Sequence, residues 1–394
     1  MGVLGDQRPP APPEPEVARE LVSAVRGQAS HALALKGVRR CGKSVLQAQL
    51  MRRSETAFYC NLEDTRLFGL SPADFPTLLS IIDELAPGGI PVFLDEVQEV
   101  PEWERLVRSL LDRGRTVCVT GSNASLLSRE LGAKLTGRHL SLEVFPLSYA
   151  EYLAFTGGSP GEASLLAYLD DGGFPGYLRE RSPQVLQQLL RDIVQRDITL
   201  RHGLRETRHV MNLVLFLLAN TGQALSLQNL TGSLAIPAVG QTARYLEYLQ
   251  DAYVLFSVPK FSPSFKRRVV APNKYYAIDN GFRRVNSPQA APDRGHRLEN
   301  LVFLALRRHG ASVYYAGERN QWECDFVTEA FAIQACAELT PYNRARELEG
   351  VVQGCRLPGK RRALILTLNQ RDRITEQGMT VEVRPIWEWL LRDL

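Results

Sequence analysis

GVRRCGKS, residues 37–44, decides the reading of this chain. Gly37, Gly42, Lys43 and Ser44 fit the spacing GxxxxGK[ST]; apolar HALAL (31–35) precedes the loop and SVLQAQLM (44–51) continues it as a helix. Glycine lets backbone N–H groups turn inward on a phosphate without a Cβ in the way, and the helix start adds positive potential. In such a loop Lys43 reaches the β and γ phosphates and the Ser44 hydroxyl ligates Mg2+. Cys41, Gly42 and Val45 complete the candidate cradle. A glycine turn that binds nothing is the plainer alternative, and the agreement of strand, loop and helix weighs against it.

A phosphate loop alone hydrolyses nothing, so a second acidic site is expected. PVFLDEVQ (91–98) supplies one: an apolar strand delivers Asp95 to its carboxyl end, where parallel sheets place their ligands. Asp95 is suited to holding Mg2+ through water and Glu96 to polarising the attacking water. VCVTGSN (117–123) places Asn123 just past another apolar strand, in position to orient the water or touch the γ-phosphate. LTGRHL (135–140) puts Arg138 before the next strand, where a guanidinium offsets charge on a transferred phosphoryl group. A turn-stabilising asparagine and a surface ion-pair arginine are the plain alternatives. ATP is expected rather than GTP, because no guanine-reading [NT]KxD motif is visible.

At 394 residues the chain should form two or three domains. Hydrophobic residues at 44% and charged residues at 23% are ordinary for a folded protein, and a net charge of +4 permits nucleic-acid contact without demanding it. The six cysteines show no CxxC spacing and suit reduced thiols. With no 18-residue apolar run and no signal pattern, a cytoplasmic protein without membrane association is expected.

The expected organisation is a proline-rich, disordered lead over 1–16, then a parallel α/β nucleotide domain over 17–153. A helical region over 154–207 follows. Three helices and a β-hairpin over 208–282 have the order of a winged helix, 283–296 reads as a linker, and 297–394 as a small α/β domain.

Together these motifs resemble the AAA-type branch of P-loop ATPases. They are most similar to a prokaryotic family that joins such a domain to a carboxyl-terminal domain of unassigned function. GVRRCGKS, NLED (61–64), FLDEVQ (93–98), TGSN (120–123), LTGR (135–138) and FPLSYAEYL (145–153) carry the resemblance in the first half. GGFP (172–175), YLEYLQDAYVLF (245–256), YYAIDNG (275–281), ENLVF (299–303) and DFV (325–327) carry it onward. The resemblance implies Walker A at Lys43 and Ser44, Walker B at Asp95 and Glu96, a sensor at Asn123 and a finger arginine at Arg138. It also implies that GGFPGYLR caps the nucleotide, with Arg179 a second sensor, and it leaves homo-oligomerisation open.

The last domain's α-β-β-β-α-β order is similar to the restriction-endonuclease-like fold. Those nucleases bind Mg2+ through a helix carboxylate, a strand aspartate and a following (D/E)xK. The counterparts are Glu299, Asp325 and Gln334-Ala335-Cys336, with Glu323 on the face of Asp325. Gln334 is a neutral ligand and Cys336 supplies no ammonium, so the cluster of Glu299, Glu323 and Asp325 is expected to lack a lysine. The domain thus reads as a degenerate nuclease-like fold used for binding or packing. In the middle module, residues 238–250 offer Gln241 and Arg244 but also Glu247, whereas the wing carries Lys260, Lys266, Arg267 and Arg268. That wing is the candidate DNA or RNA surface. Three wider functions stay open: a motor or switch on nucleic acid, a nucleotide-gated module that signals to a protein partner, or a metal-dependent nuclease.

Overall fold

The structure, a computed structural model, describes residues 2–25, 31–122, 137–287 and 294–392. They fall into two compact units, residues 1–145 with 251–253, and residues 146–250 with 254–394.

The first unit is built on a five-stranded sheet: β1 (Ala32–Lys36), β2 (Phe58–Asn61), β3 (Val92–Asp95), β4 (Val117–Gly121) and β5 (His139–Glu143). All pairings are parallel, in the order β2-β3-β4-β1-β5. Every residue of β3 and β4 is buried, as expected of parallel strands covered on both faces. The helix Trp103–Asp112 carries Trp103, Leu106, Val107, Leu110 and Leu111 at helical spacing and presses them into the core with Leu78 and Ile82 of the helix Phe75–Leu85.

The amino-terminal lead departs from expectation. Gly2–Asp6 is helical, Leu4 joins the core of the sheet, and the buried Gln7 amide pairs with the backbone of Asn61. Composition argued for disorder; two side chains that dock on the folded sheet overrule it.

The second unit starts earlier than residue 154 because Ser148 caps the helix Tyr149–Thr156, accepting from Glu151 N at 3.2 Å while its own N–H donates to Glu151 Oε2 at 2.9 Å. Helices Glu162–Asp171, Pro175–Glu180 and Pro183–Asp192 and a π-helical stretch Ile193–Leu200 follow. Next come helices Arg208–Ala219, Leu227–Ser233 and Val239–Asp251 with a three-stranded antiparallel sheet. Its strands are β6 (Ala224–Leu225), β7 (Leu255–Val258) and β8 (Asn273–Ala277), ordered β6-β8-β7. The basic stretch between β7 and β8, expected as an open wing, contains a short helix, Phe265–Val270. Of the expected linker 283–296, the helix Asn280–Asn286 takes the start and Arg294–Arg308 the end, and 288–293 lies outside the described residues.

The final six strands are β9 (Tyr314–Glu318), β10 (Trp322–Val327), β11 (Phe331–Ala335), β12 (Arg362–Thr367), β13 (Asp372–Glu376) and β14 (Met379–Pro385). They pair in the order β13-β14-β12-β11-β10-β9, parallel only at β11–β12 and β12–β14. The helix Arg344–Arg356 packs Leu348, Val351 and Val352 onto this sheet.

Candidate functional site

β1 and β3 flank β4 and end at the same edge of the first sheet, which brings the loop 37–44 and Asp95 to one place. Gly37 is required there, since a Cβ would lie 2.1 Å from the Val144 carbonyl oxygen. The Cys41 thiol, whose pKa burial raises, donates to the same carbonyl at 3.2 Å. Gly42, at φ 100°, starts the helix Lys43–Met51, and Val45 lies half-buried in its first turn. Lys43 is buried and folds back over its own loop, its Nζ donating to the carbonyls of Gly37 at 3.1 Å and Val38 at 3.2 Å.

Ser44 and Asp95 line one cavity of about 410 Å³. Asp95 is buried, which raises its pKa, while hydroxyls of Thr120, Ser44 and Tyr59 pull it back down. The Tyr59 hydroxyl donates to Asp95 Oδ2 at 3.0 Å, and Thr120 Oγ1 donates to Oδ1. The same Thr120 oxygen accepts from the Glu96 N–H at 3.0 Å, so β4 holds both acids in register. Glu96 sits in a left-handed conformation, φ 52°, and its Oε2 accepts from Gln98 Nε2 at 2.5 Å. Two oxygen donors at the edge of a polar cavity suit Mg2+, which keeps several waters and takes few protein ligands beside phosphate. Asn123 lies outside the described residues.

Sequence reasoning missed Arg19. Its buried guanidinium donates to Cys41 O at 3.0 Å and Phe145 O at 2.7 Å, tying the loop to the segment after β5. The partners are distant in sequence, so no local spacing signals this.

Arg138 precedes β5, whose first residue pairs with the first residue of β1, and its carbonyl accepts from Ala32 N at 3.0 Å. That is the edge opposite the phosphate loop, a strand length of about 16 Å away at ~3.3 Å per residue. Its guanidinium pairs with Asp112 at 2.6 Å.

Arg179 is exposed at the end of the helix Pro175–Glu180, in the second unit. Within that unit Gly172, Gly173 and Phe174 of the neighbouring GGFP are buried. Gly173 N donates to Asp279 Oδ2 at 2.6 Å and its carbonyl accepts from Leu147 N at 2.8 Å. A Cβ on Gly173 would stand 2.2 Å from Leu147 O. Phe174 packs on Phe282 with ring centroids 5.7 Å apart, so the GGFP and YYAIDNG signatures are two halves of one contact. Burial pushes the Asp279 carboxyl up to about 6, against three backbone N–H donors that lower it.

The nuclease-like cluster contains a lysine after all, supplied by β8 rather than β11. Lys274, buried, sets its Nζ 2.8 Å from Glu299 Oε1, 2.8 Å from Glu323 Oε1 and 3.6 Å from Asp325 Oδ1. Burial pulls its pKa down, but Glu299, Tyr276, Asp325 and Glu323 together hold it well above an ordinary lysine. The Tyr276 hydroxyl also donates to Glu299 Oε1, at 2.6 Å. Burial, then the charge of Glu299, raises the Asp325 carboxyl, with Lys274 opposing. Gln334 is a bridge: its Oε1 accepts from Asp325 N at 2.7 Å and its Nε2 donates to Glu347 at 2.8 Å. Burial pushes the Cys336 thiol up to about 12. Among the described residues, no three His, Cys, Asp or Glu side chains are grouped to hold a metal ion.

Of the basic wing, Lys266 is exposed, Lys260 is half-buried, and the Arg268 guanidinium lies 5.8 Å over the Tyr314 ring. The Arg267 side chain lies outside the described residues. No helix among the described residues is long and apolar enough to cross a membrane.

Comparison with known proteins adds an independent view. Residues 29–153 match a family described as an AAA domain, and residues 162–289 a domain of unknown function (DUF8612). An uncharacterized protein of Methanocaldococcus jannaschii, MJ1544, is 31% identical over 390 residues, covering 90% of this chain and 87% of its own length. An uncharacterized protein of Haemophilus influenzae is 29% identical over 383 residues, covering 91% and 94%. Among solved structures, the Walker-type ATPase PABY2304 of Pyrococcus abyssi is similar over 72% of this chain and 99% of that chain, at 18% identity and a TM-score of 0.45.

Proposed function

The chain belongs to one family with the Methanocaldococcus jannaschii protein and carries an AAA domain of the P-loop ATPase type, and on that premise we propose that it binds and hydrolyses ATP to drive a motor or switch on nucleic acid. The observation that carries the ATPase reading is the convergence of Lys43, Ser44, Asp95 and Glu96 at one edge of the parallel sheet. Lys43 moves from its two loop carbonyls to the β and γ phosphates, exchanging neutral hydrogen bonds for charge-assisted ones. Ser44 and Asp95 would hold Mg2+, which would supply charge neutralisation to the bound nucleotide. Glu96, fixed through its N–H on Thr120, orients and deprotonates the attacking water.

The middle module supports a winged-helix reading through its helix and strand order, and exposed Lys266 supports a nucleic-acid surface there. We take the last domain as a restriction-endonuclease-like fold that packs rather than cuts, since the Lys274 ammonium occupies the space between Glu299 and Glu323 where a metal ion would have to sit. The test is steady-state ATP hydrolysis with Mg2+, with and without duplex and single-stranded DNA, using Glu96→Gln as the blank. Stimulation by DNA that collapses with salt fits the proposal. A slow rate indifferent to DNA transfers the reading to a switch for a protein partner. Absence of hydrolysis in every condition refutes the ATPase reading.

A further inference from the structure

The amino-terminal segment is anchored on the nucleotide domain at two points. On one side Gln7 binds the end of β2: its Oε1 accepts from Asn61 N at 2.6 Å and its Nε2 donates to Asp64 Oδ2 at 3.1 Å. On the other side Glu16 accepts from Arg52 Nη1 at 3.0 Å and Gln49 Nε2 at 3.2 Å, and Val17 O accepts from Gln49 Nε2 at 2.7 Å. Gln49 and Arg52 belong to the helix that the phosphate loop starts and to its cap. Between the two anchors runs RPPAPPEP, residues 8–15, in which five of eight residues are proline. Such a stretch is stiff and extended, and it holds its position between fixed ends.

Arg8 and Pro10 of this span line the same cavity of about 410 Å³ as Ser44 and Asp95. Two guanidinium groups face that space. Asp64 clamps Arg66, with Oδ contacts of 2.6 to 3.2 Å. Arg8 instead donates to the backbone carbonyls of Gly5 at 2.8 Å and Gln7 at 3.0 Å, and among the described residues no carboxylate pairs with it. Neutral carbonyl contacts are weaker than the charge-assisted, bidentate bonds a guanidinium makes to phosphate. Ser44 and Asp95 mark the β and γ end of a bound triphosphate.

We propose that residues 2–17 are a strap held across the Mg2+ end of the cleft, and that Arg8 binds the terminal phosphate of ATP in cis. The inference rests on the ATP reading of the loop 37–44. Its consequence is discrimination: Arg8 contributes to ATP and nothing to ADP, which lacks the phosphate it reaches. The strap thereby supplies from the same chain the cationic group that Arg138, at the opposite edge, does not bring to this loop.

The experiment is equilibrium titration of the full chain with fluorescent ADP and a fluorescent, non-hydrolysable ATP analogue in Mg2+, which reads binding without turnover. Arg8→Gln should weaken ATP about tenfold or more, the scale of one charge-assisted hydrogen bond, and leave ADP within about twofold. Arg8→Lys should recover part of the preference. Gln7→Ala, which frees one anchor, should shift the ratio the same way. An unchanged ATP-to-ADP ratio in Arg8→Gln overturns the proposal, as does tighter binding of both nucleotides, which would make the strap an obstruction. If the unsubstituted chain binds neither nucleotide, or Lys43→Ala binds both normally, the premise fails and the strap with it.

Discussion

Replacing Lys274 by Met tests the central feature of the second unit. The ammonium is buried between Glu299 and Glu323, each at 2.8 Å, with Asp325 at 3.6 Å. At an effective dielectric of ~20, one such pair at this separation is worth about 6 kcal/mol before desolvation is subtracted. Much of that gross attraction only offsets the burial of the ions. The substitution differs in kind, because it strands a carboxylate: Glu299 keeps the Tyr276 hydroxyl but loses its cation. Breaking a buried pair from one side costs about 3–5 kcal/mol. Glu323, whose side chain is 54% exposed, turns to water and adds little. For a unit of this size the loss corresponds to a fall in Tm of about 10 °C. Trp322, Trp387 and Trp389, three of the chain's four tryptophans, report on this unit, so urea unfolding followed by tryptophan fluorescence is the assay. Adding Glu299→Gln to Lys274→Met should restore a good part of the loss, since Asp325 is then the one buried carboxyl of the cluster without the ammonium, and it keeps the Ala335 N–H donor at 3.0 Å. A Lys274→Met variant within about 1 kcal/mol of the parent would refute the reasoning, because the penalty for a stranded buried charge has to exceed that.

Lys43→Ala should abolish ATP binding in the same titration, whereas Glu96→Gln should keep it and slow hydrolysis at least ~10²-fold. Arg138→Ala mixed with Glu96→Gln should regain activity if Arg138 serves a neighbouring copy; no recovery at concentrations that support assembly would leave it the partner of Asp112 only. Gly173→Ala should lower the stability of the second unit by about 3 kcal/mol, because its Cβ meets a backbone carbonyl that cannot turn away. Asp279 titrates near 3.8 when unfolded and about 6 when folded, so between those values the folded state keeps a proton the unfolded state has lost. Stability should therefore fall as pH rises through that window, by about 3 kcal/mol, and Asp279→Asn should flatten the slope in unfolding measured from pH 3 to 7.

The parallel sheet was legible because its signals are local. HALAL, FLDEVQ and VCVTG each announce an apolar strand and the chemistry at its end within eight residues, and β1, β3 and β4 lie there within a residue or two. What escaped depends on residues far apart in the chain. Lys274 meets Glu299 across 25 positions and Glu323 across a separate sheet, so a search confined to the acid-x-lysine spacing of β11 finds Cys336 and stops. Arg19 supports the phosphate loop through carbonyls 22 and 126 residues away. In SFKRRVV the charges implied an exposed wing, which holds for Lys266, but the backbone is a helical turn, and Arg268 lies over Tyr314. The proline-rich lead misled for a related reason: its composition describes the chain in isolation, and its order comes from Leu4 and Gln7 meeting the finished sheet.

The lysine from β8 also fixes where this protein can be divided. A fragment beginning at residue 297 keeps Glu299, Asp325 and Gln334 but leaves their ammonium behind on the preceding module. The last hundred residues look self-sufficient by their order of elements and are insolvent by their charge. An attempt to express them alone should yield a chain that folds only when the carboxylates are protonated, and a fragment begun upstream of β8 should not need the acid.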